Sequence, residues 1–230
     1  MSRFRRPPRD LLRKPWASII PVSLGLSITS LVLFSWLADQ ILRKGTDQFD
    51  EIVRSLIHHL SSPTFTAVMR FVTNLGDWQV VMTGTLCLCL YLWYRRDAAH
   101  LVVVLVSMMG AGTLDGMLKL VFHRPRPDPF FVAKPSTYSF PSGHALISLC
   151  FYGLVAGTFS SSLGEKWQRV LLWTAAALLI ALIGLSRVYL GVHWPSDVLA
   201  GYAAALIWMG AVRVLALNLE ERRRKPGSPA

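Results

Sequence analysis

Charge is scarce in this chain. Of its 230 residues, 16% are Asp, Glu, Lys or Arg and 53% are hydrophobic. That balance excludes an ordinary soluble domain, where about 25% of residues are charged, and with a positive mean hydropathy it points to an integral membrane protein. Cysteine is scarcer still. Cys87, Cys89 and Cys150 are the only three and all fall inside apolar runs, which argues against a disulfide framework and for small buried hydrophobes. The chain also lacks an internal repeat, a second domain and any low-complexity tract outside its tails. Acidic residues are few, 13 against 24 basic ones, for a formal net charge of +11. Such an excess raises nucleic acid as a partner, but its placement argues against one. Arg3, Arg5, Arg6, Arg9, Arg13 and Lys14 precede the first apolar run, and Arg222, Arg223, Arg224 and Lys225 follow the last. This is the pattern of cytoplasmic flanks on a membrane protein, the positive-inside asymmetry.

What is present is a series of apolar runs. Residues 1–16 read as a basic cytoplasmic tail, 17–217 as one membrane domain and 218–230 as a second basic cytoplasmic tail. The first run, 17–38, is long enough to cross a hydrocarbon layer of about 30 Å. It exceeds the roughly 7–15 residues of a signal-peptide core, so an uncleaved span is expected. Further spans are expected at 77–94, 98–121, 142–159, 170–187 and 195–217, giving an all-α polytopic fold of six transmembrane helices. Two short amphipathic surface helices are expected between the first and second spans. In one, Phe49, Ile52, Val53, Leu56, Ile57 and Leu60 share a face opposite Asp50, Glu51, Arg54, His58 and His59, and the two histidines read as part of a solvated polar face. In the other, Phe65, Val68, Met69, Val72 and Leu75 form the apolar face, closed by Gly76. Six spans place both termini in the cytoplasm. The segment 39–76 and the loops 120–141 and 187–195 then emerge on the periplasmic or extracellular side of the cell membrane.

Three polar clusters break the apolar texture, all on that outer side. Asp115 and Lys119 are one helical turn apart inside the third span, where charge is costly. The carboxylate can position the ammonium, or pack as a neutral group. Lys119 is followed by Arg126, beyond a Pro125/Pro127 segment held extended. This cation pair suits a phosphate dianion, although taken alone a basic loop touching bilayer headgroups is the favoured reading. The second cluster is Phe140-Pro141-Ser142-Gly143-His144, where Ser142 can cap a helix and Gly143 leaves first-turn N–H groups open to an anion. The third runs from Ser186 and Arg187 to His193 and Asp197. With Pro195 opening a helix, the i,i+4 spacing lets Asp197 hold one imidazole nitrogen of His193 and leave the other as base, nucleophile or ligand. Singly, each cluster has a structural explanation. Jointly they supply three cations, helix N–H donors and two histidines, the components of phosphoryl transfer.

The pattern Lys119-x6-Arg126-Pro127, Pro141-Ser142-Gly143-His144 and Ser186-Arg187-x5-His193-x3-Asp197 resembles the three-part signature of the type 2 phosphatidic acid phosphatase superfamily. That family includes bacterial lipid phosphatases and, on a soluble helical scaffold, vanadium haloperoxidases. The signature region covers residues 119–197, and the six-span layout extends the likeness over nearly the whole chain. The resemblance implies an integral-membrane hydrolase of a lipid phosphomonoester or diphosphate. It implies His193 as the nucleophile that forms a phosphohistidine, Asp197 as its orienting carboxylate and His144 as general acid and then base. Lys119, Arg126, Ser142, Gly143 and Arg187 would hold the phosphoryl oxygens.

No cofactor is expected. His144, His193 and Asp197 are a conceivable metal triad, but three cations beside them would repel a metal ion, so a metal-independent reaction is expected. The expected partners are the bilayer and a membrane lipid phosphate: phosphatidic acid, phosphatidylglycerol phosphate or a polyprenyl diphosphate. Arg124, Lys134 and His123 lie where they could meet a second phosphate or bilayer headgroups. Transfer of the phosphoryl group to an acceptor other than water is the alternative reaction. A lipid carrier and a haloperoxidase are the more distant ones. Nothing in the composition fixes the oligomeric state.

Overall fold

The computed structural model describes residues 16–224, and the side chains of residues 25–217 among them. The basic residues that carry the charge asymmetry lie outside these residues or side chains, as does most of each predicted tail. Eight helices and no strand occur among the described residues. They are α1 (Trp16–Leu42), α2 (Asp47–His58), α3 (Pro63–Asn74), α4 (Trp78–Tyr94), α5 (Ala98–Phe122), α6 (Gly143–Ser160), α7 (Lys166–Tyr189) and α8 (Pro195–Arg224). By length and composition α1, α5, α6, α7 and α8 each suffice to cross a membrane. With 17 residues, α4 reaches that standard only together with α3, from which it is bent by 44°. The fold is all-α, with five or six membrane spans.

Helix ends follow local chemistry. Ser62 accepts from Phe65 N–H at 3.2 Å with Pro63 in the first turn of α3, and Asp97 accepts from His100 N–H at 3.2 Å to open α5. Glu165 and Gln168 form a reciprocal capping box at the start of α7. At the other end of α5, His123 takes a left-handed conformation with φ 47°, and the proline-rich segment after it cannot continue the helix.

The most buried helix is α6, packed against α4, α5, α7 and α8. Its neighbour α8 approaches through Gly201, Ala204 and Ala205, which are small enough to bring two backbones together where lipid supplies no hydrophobic driving force. A Cβ on Gly201 would stand 2.6 Å from the Ser142 carbonyl oxygen. Polar contacts also tie α8 to other helices: Trp208 Nε1 donates to Ser107 O at 2.9 Å, and Tyr202 Oη donates to Ile180 O at 2.7 Å. Leu105, Val106, Met109, Leu120, Val121, Leu171 and Leu178 are exposed on the outside of the bundle, as a lipid-facing surface requires.

The helix α2 is amphipathic as expected, but the side that docks combines part of its polar stripe with Ile57, which packs against the buried cluster of Met69, Tyr189, Leu190 and Val192. Asp50 and Arg54 are buried, while Phe49, Ile52, Leu56 and Leu60 are exposed. The reason is physical: against an apolar medium the charged groups gain most by meeting partners in the protein. The expectation that His58 is solvated is also corrected. Its ring stacks on Phe130 with centroids 3.8 Å apart, whereas His59 is exposed and sets Nδ1 2.7 Å from Ser55 O.

Candidate active site

The polar ends of α5, α6, α7 and α8 converge on the loop 123–142 and on the break between α3 and α4. At the end of α7, Gly191 has φ +77°, and a Cβ there would meet Phe130 N at 2.8 Å. The chain thus turns tightly into His193, which is 2% exposed. His193 Nδ1 stands 3.5 Å from Asp197 Oδ2, the one-turn pairing expected from the spacing, although too long for a hydrogen bond. Nε2 points the other way, 3.0 Å from Arg126 Nη1. Burial, then the charges of Arg126, Arg187, Lys119 and His144, hold the His193 imidazole well below its ordinary value of 6.5. The ring is therefore neutral at pH 7, as a nucleophile must be.

The cations are individually anchored. Arg126 donates Nε to Thr137 O at 2.7 Å, Nη2 to Thr137 Oγ1 at 2.9 Å and Nη1 to Val192 O at 2.8 Å. Burial pulls its guanidinium down from the ordinary arginine value, and Asp197 and Asp115 oppose that shift. Arg187 donates Nη1 to Thr73 Oγ1 at 2.7 Å, while its buried Nε has no partner. Lys119 Nζ donates to Asp115 Oδ2 at 2.6 Å. Of the two readings of Asp115, the structure therefore favours the one that positions the ammonium. A Cβ on Gly143 would lie 2.9 Å from Asp115 Oδ1, so the Lys119–Asp115 pair abuts the first turn of α6. There, the Ser142 hydroxyl is buried yet makes no capping bond and has no partner. Donors of Ser142, of Arg187 and of the uncapped helix start are thus available to an anion. His144 projects from the same turn, with Nε2 2.8 Å from Asp77 Oδ1.

All eight residues singled out in the sequence are thus brought into one polar region, through contacts that sequence reasoning did not foresee apart from the one-turn pairs Asp115–Lys119 and His193–Asp197. Arg124 differs from its expected role. Its side chain, 9% exposed, bonds Asp197 Oδ1 at 2.6 Å, Asp50 Oδ2 at 2.7 Å, Ser196 Oγ at 2.8 Å and Thr46 Oγ1 at 3.2 Å. A guanidinium so committed is not available to a second phosphate. Lys134 is taken up by an exposed pair with Asp128. Asp50 also accepts from Ser196 N–H and Oγ at 2.8 and 2.6 Å, which links α2 to the start of α8. Thr73, Asp77, Thr137 and Asp50 are the site residues the sequence did not yield, since the partner of each lies more than ten positions away. Among the described residues, no three His, Cys, Asp or Glu side chains group as metal ligands.

A profile of the PAP2 superfamily matches residues 100–220, more than half of the sequence. The chain belongs to the PAP2 superfamily. Its sequence is 27% identical to phosphatidylglycerophosphatase B of Bacillus subtilis over 206 residues, 89% of this PAP2 chain and 98% of the other. It is 32% identical to an undecaprenyl-diphosphatase of Sulfolobus acidocaldarius over 181 residues, 75% of this chain and 82% of that one. The fold is similar to the crystal structure of a transmembrane PAP2-type phosphatidylglycerolphosphate phosphatase from Bacillus subtilis. The TM-score is 0.75 at 27% identity, with 85% of this chain and 96% of the other covered. These relatives are lipid phosphatases spanning most of this chain's length.

Proposed function

We propose that this protein hydrolyses a lipid phosphomonoester or diphosphate through a phosphohistidine on His193, without a metal ion. The observation that carries the reading is the orientation of the His193 ring, with Nδ1 toward Asp197 and Nε2 beside Arg126. In the first step, Nε2 attacks phosphorus in line. The N–P bond forms as the P–O bond to the lipid breaks, and His144 gives its proton to the departing oxygen. Asp197 stays ionised and stabilises the positive charge on the phosphorylated ring. Lys119, Arg126, Arg187, the Ser142 hydroxyl and the Gly143 N–H hold the three non-bridging oxygens as charge spreads onto them. In the second step His144 takes a proton from water, the water oxygen attacks phosphorus, and the N–P bond breaks to release inorganic phosphate and neutral His193.

The site stands at the outer face of the cell membrane in this reading, with both termini in the cytoplasm and the basic segments 1–16 and 218–230 flanking the domain 17–217. Lipid-facing helices around the site let a bilayer substrate enter sideways. The lipids acted on by the relatives make phosphatidylglycerol phosphate and a polyprenyl diphosphate the first candidates, followed by phosphatidic acid. The test is phosphate release by detergent-purified protein in EDTA from each of these three lipids, with His193→Ala beside it. Release unaffected by EDTA and lost in the variant is expected. Release that EDTA abolishes and magnesium restores would refute the metal-free mechanism.

A further inference from the structure

The last turn of α3 and the break before α4 reach the polar region in three places within five residues. Thr73 receives the Arg187 guanidinium. At Gly76 a Cβ would stand 3.0 Å from His144 Cδ2 and 2.6 Å from Ile183 Cγ2, so the backbone lies directly against the imidazole and leaves no room for a side chain. Asp77 occupies the N-cap of α4 but makes no capping bond there. Its Oδ1 is instead 2.8 Å from His144 Nε2. Leu75 O accepts from Tyr152 Oη at 2.8 Å, which fastens the break to α6, the helix that carries His144. An aspartate that gives up its usual capping bond to hold a ring is being used for that ring.

We propose that Asp77 is the positioning residue of His144, making a second carboxylate–histidine pair that serves the leaving group as Asp197 serves the nucleophile. With Nε2–H donated to Asp77, the ring presents Nδ1 to the substrate. As an imidazolium it delivers the Nδ1 proton to the departing lipid oxygen. It is left as the Nε2–H tautomer, whose Nδ1 then accepts a proton from water. This deepens the reading above and rests on His144 being the acid.

The discriminating variable is how much the leaving oxygen needs a proton. Phosphatidic acid expels an alkoxide, a strong base, whereas diacylglycerol diphosphate expels a phosphate, a weak one, from the same lipid anchor. The experiment measures kcat/KM, which reports formation of the phosphoenzyme, for wild type, Asp77→Asn, Asp77→Glu and His144→Ala on both substrates. General-acid catalysis contributes about 10²–10⁴-fold. The Asp77→Asn variant is therefore expected to lose about 10²-fold on phosphatidic acid and less than about 5-fold on the diphosphate, with most of the loss in kcat. Asp77→Glu recovers part of it, and His144→Ala shows the same selectivity more strongly. If Asp77→Asn falls equally on both substrates, or on neither, while His144→Ala is selective, the assignment of Asp77 is overturned and the role of His144 stands. If His144→Ala is itself unselective, the acid role of His144 fails and the role of Asp77 with it.

Discussion

Removing the Arg124 guanidinium should destabilise the protein more than any other single charge deletion in the loop 123–142. Arg124 bridges two carboxylates, Asp50 and Asp197, that are both 0% exposed. Four hydrogen bonds end on its two terminal nitrogens. In Arg124→Met the volume is kept and both carboxylates remain, deprived of their cation. Breaking a buried pair from one side costs about 3–5 kcal/mol. At about 2–4 °C per kcal/mol for a chain of this size, Tm in detergent should drop by roughly 6–20 °C. Asp50→Asn should cost less, because it removes one of two anions around a single cation and leaves the Arg124–Asp197 pair intact. The double variant Arg124→Met/Asp50→Asn should recover part of the loss, with a coupling of about 0.5–3 kcal/mol in the double-mutant cycle. Lys134→Met, which breaks only the exposed pair with Asp128, serves as control and should leave Tm unchanged. The assay is thermal unfolding followed by helical circular dichroism. An Arg124→Met protein as stable as the Lys134→Met control would refute the claim that this network joins α2 to α8.

Other expectations follow from the same geometry. Asp197→Asn should leave substrate binding nearly intact and slow turnover by about 10⁴-fold, the size a mis-set imidazole tautomer has in a serine triad; unchanged turnover in a kcat and KM comparison would remove Asp197 from the mechanism. His193 is buried neutral, so between its depressed folded value and 6.5 the unfolded chain binds the proton that the folded chain refuses. Its contribution is therefore present above about pH 6.5 and lost as pH falls below it. Wild-type Tm should lose ground to His193→Asn on acidification from pH 7 to pH 5, and parallel curves would contradict this. Gly143→Ala places a methyl about 3 Å from the Asp115 carboxylate, displacing the group that holds Lys119 and crowding the open helix start. Activity should fall about 10–100-fold with little change in Tm, and an active Gly143→Ala enzyme would show that this helix start is not used.

The spans were legible because apolar runs of sufficient length are a local property, and so were the turns that Pro63 and Pro195 announce. The three polar clusters could be read from short spacings, such as the i,i+4 offset from His193 to Asp197. Their convergence followed from counting spans. What could not be read was which distant group answers each charge. Asp77 and His144 lie 67 positions apart, Thr73 and Arg187 114, and Asp50 and Ser196 146. The burial of Asp50 and Arg54 on α2 escaped for a different reason: the periodicity that locates an apolar face does not say whether that face meets protein or lipid. Arg124, two residues before the signature arginine, is placed by sequence where it could meet a second phosphate or bilayer headgroups. Only burial distinguishes its structural role from that of Arg126, whose Nη1 lies against His193.

The central claim is that phosphorus becomes bonded to His193, and the direct measurement is to look for that bond. Substrate labelled with ³²P in the scissile phosphate, mixed with the detergent-purified protein and quenched in alkali within a turnover, should leave label on the chain. That label should be stable in base, labile in acid, map by mass spectrometry to the peptide containing His193, and be lost in His193→Ala. Retained label in His193→Ala, or full phosphate release by wild type with no chain-bound label at any quench time, would contradict the mechanism.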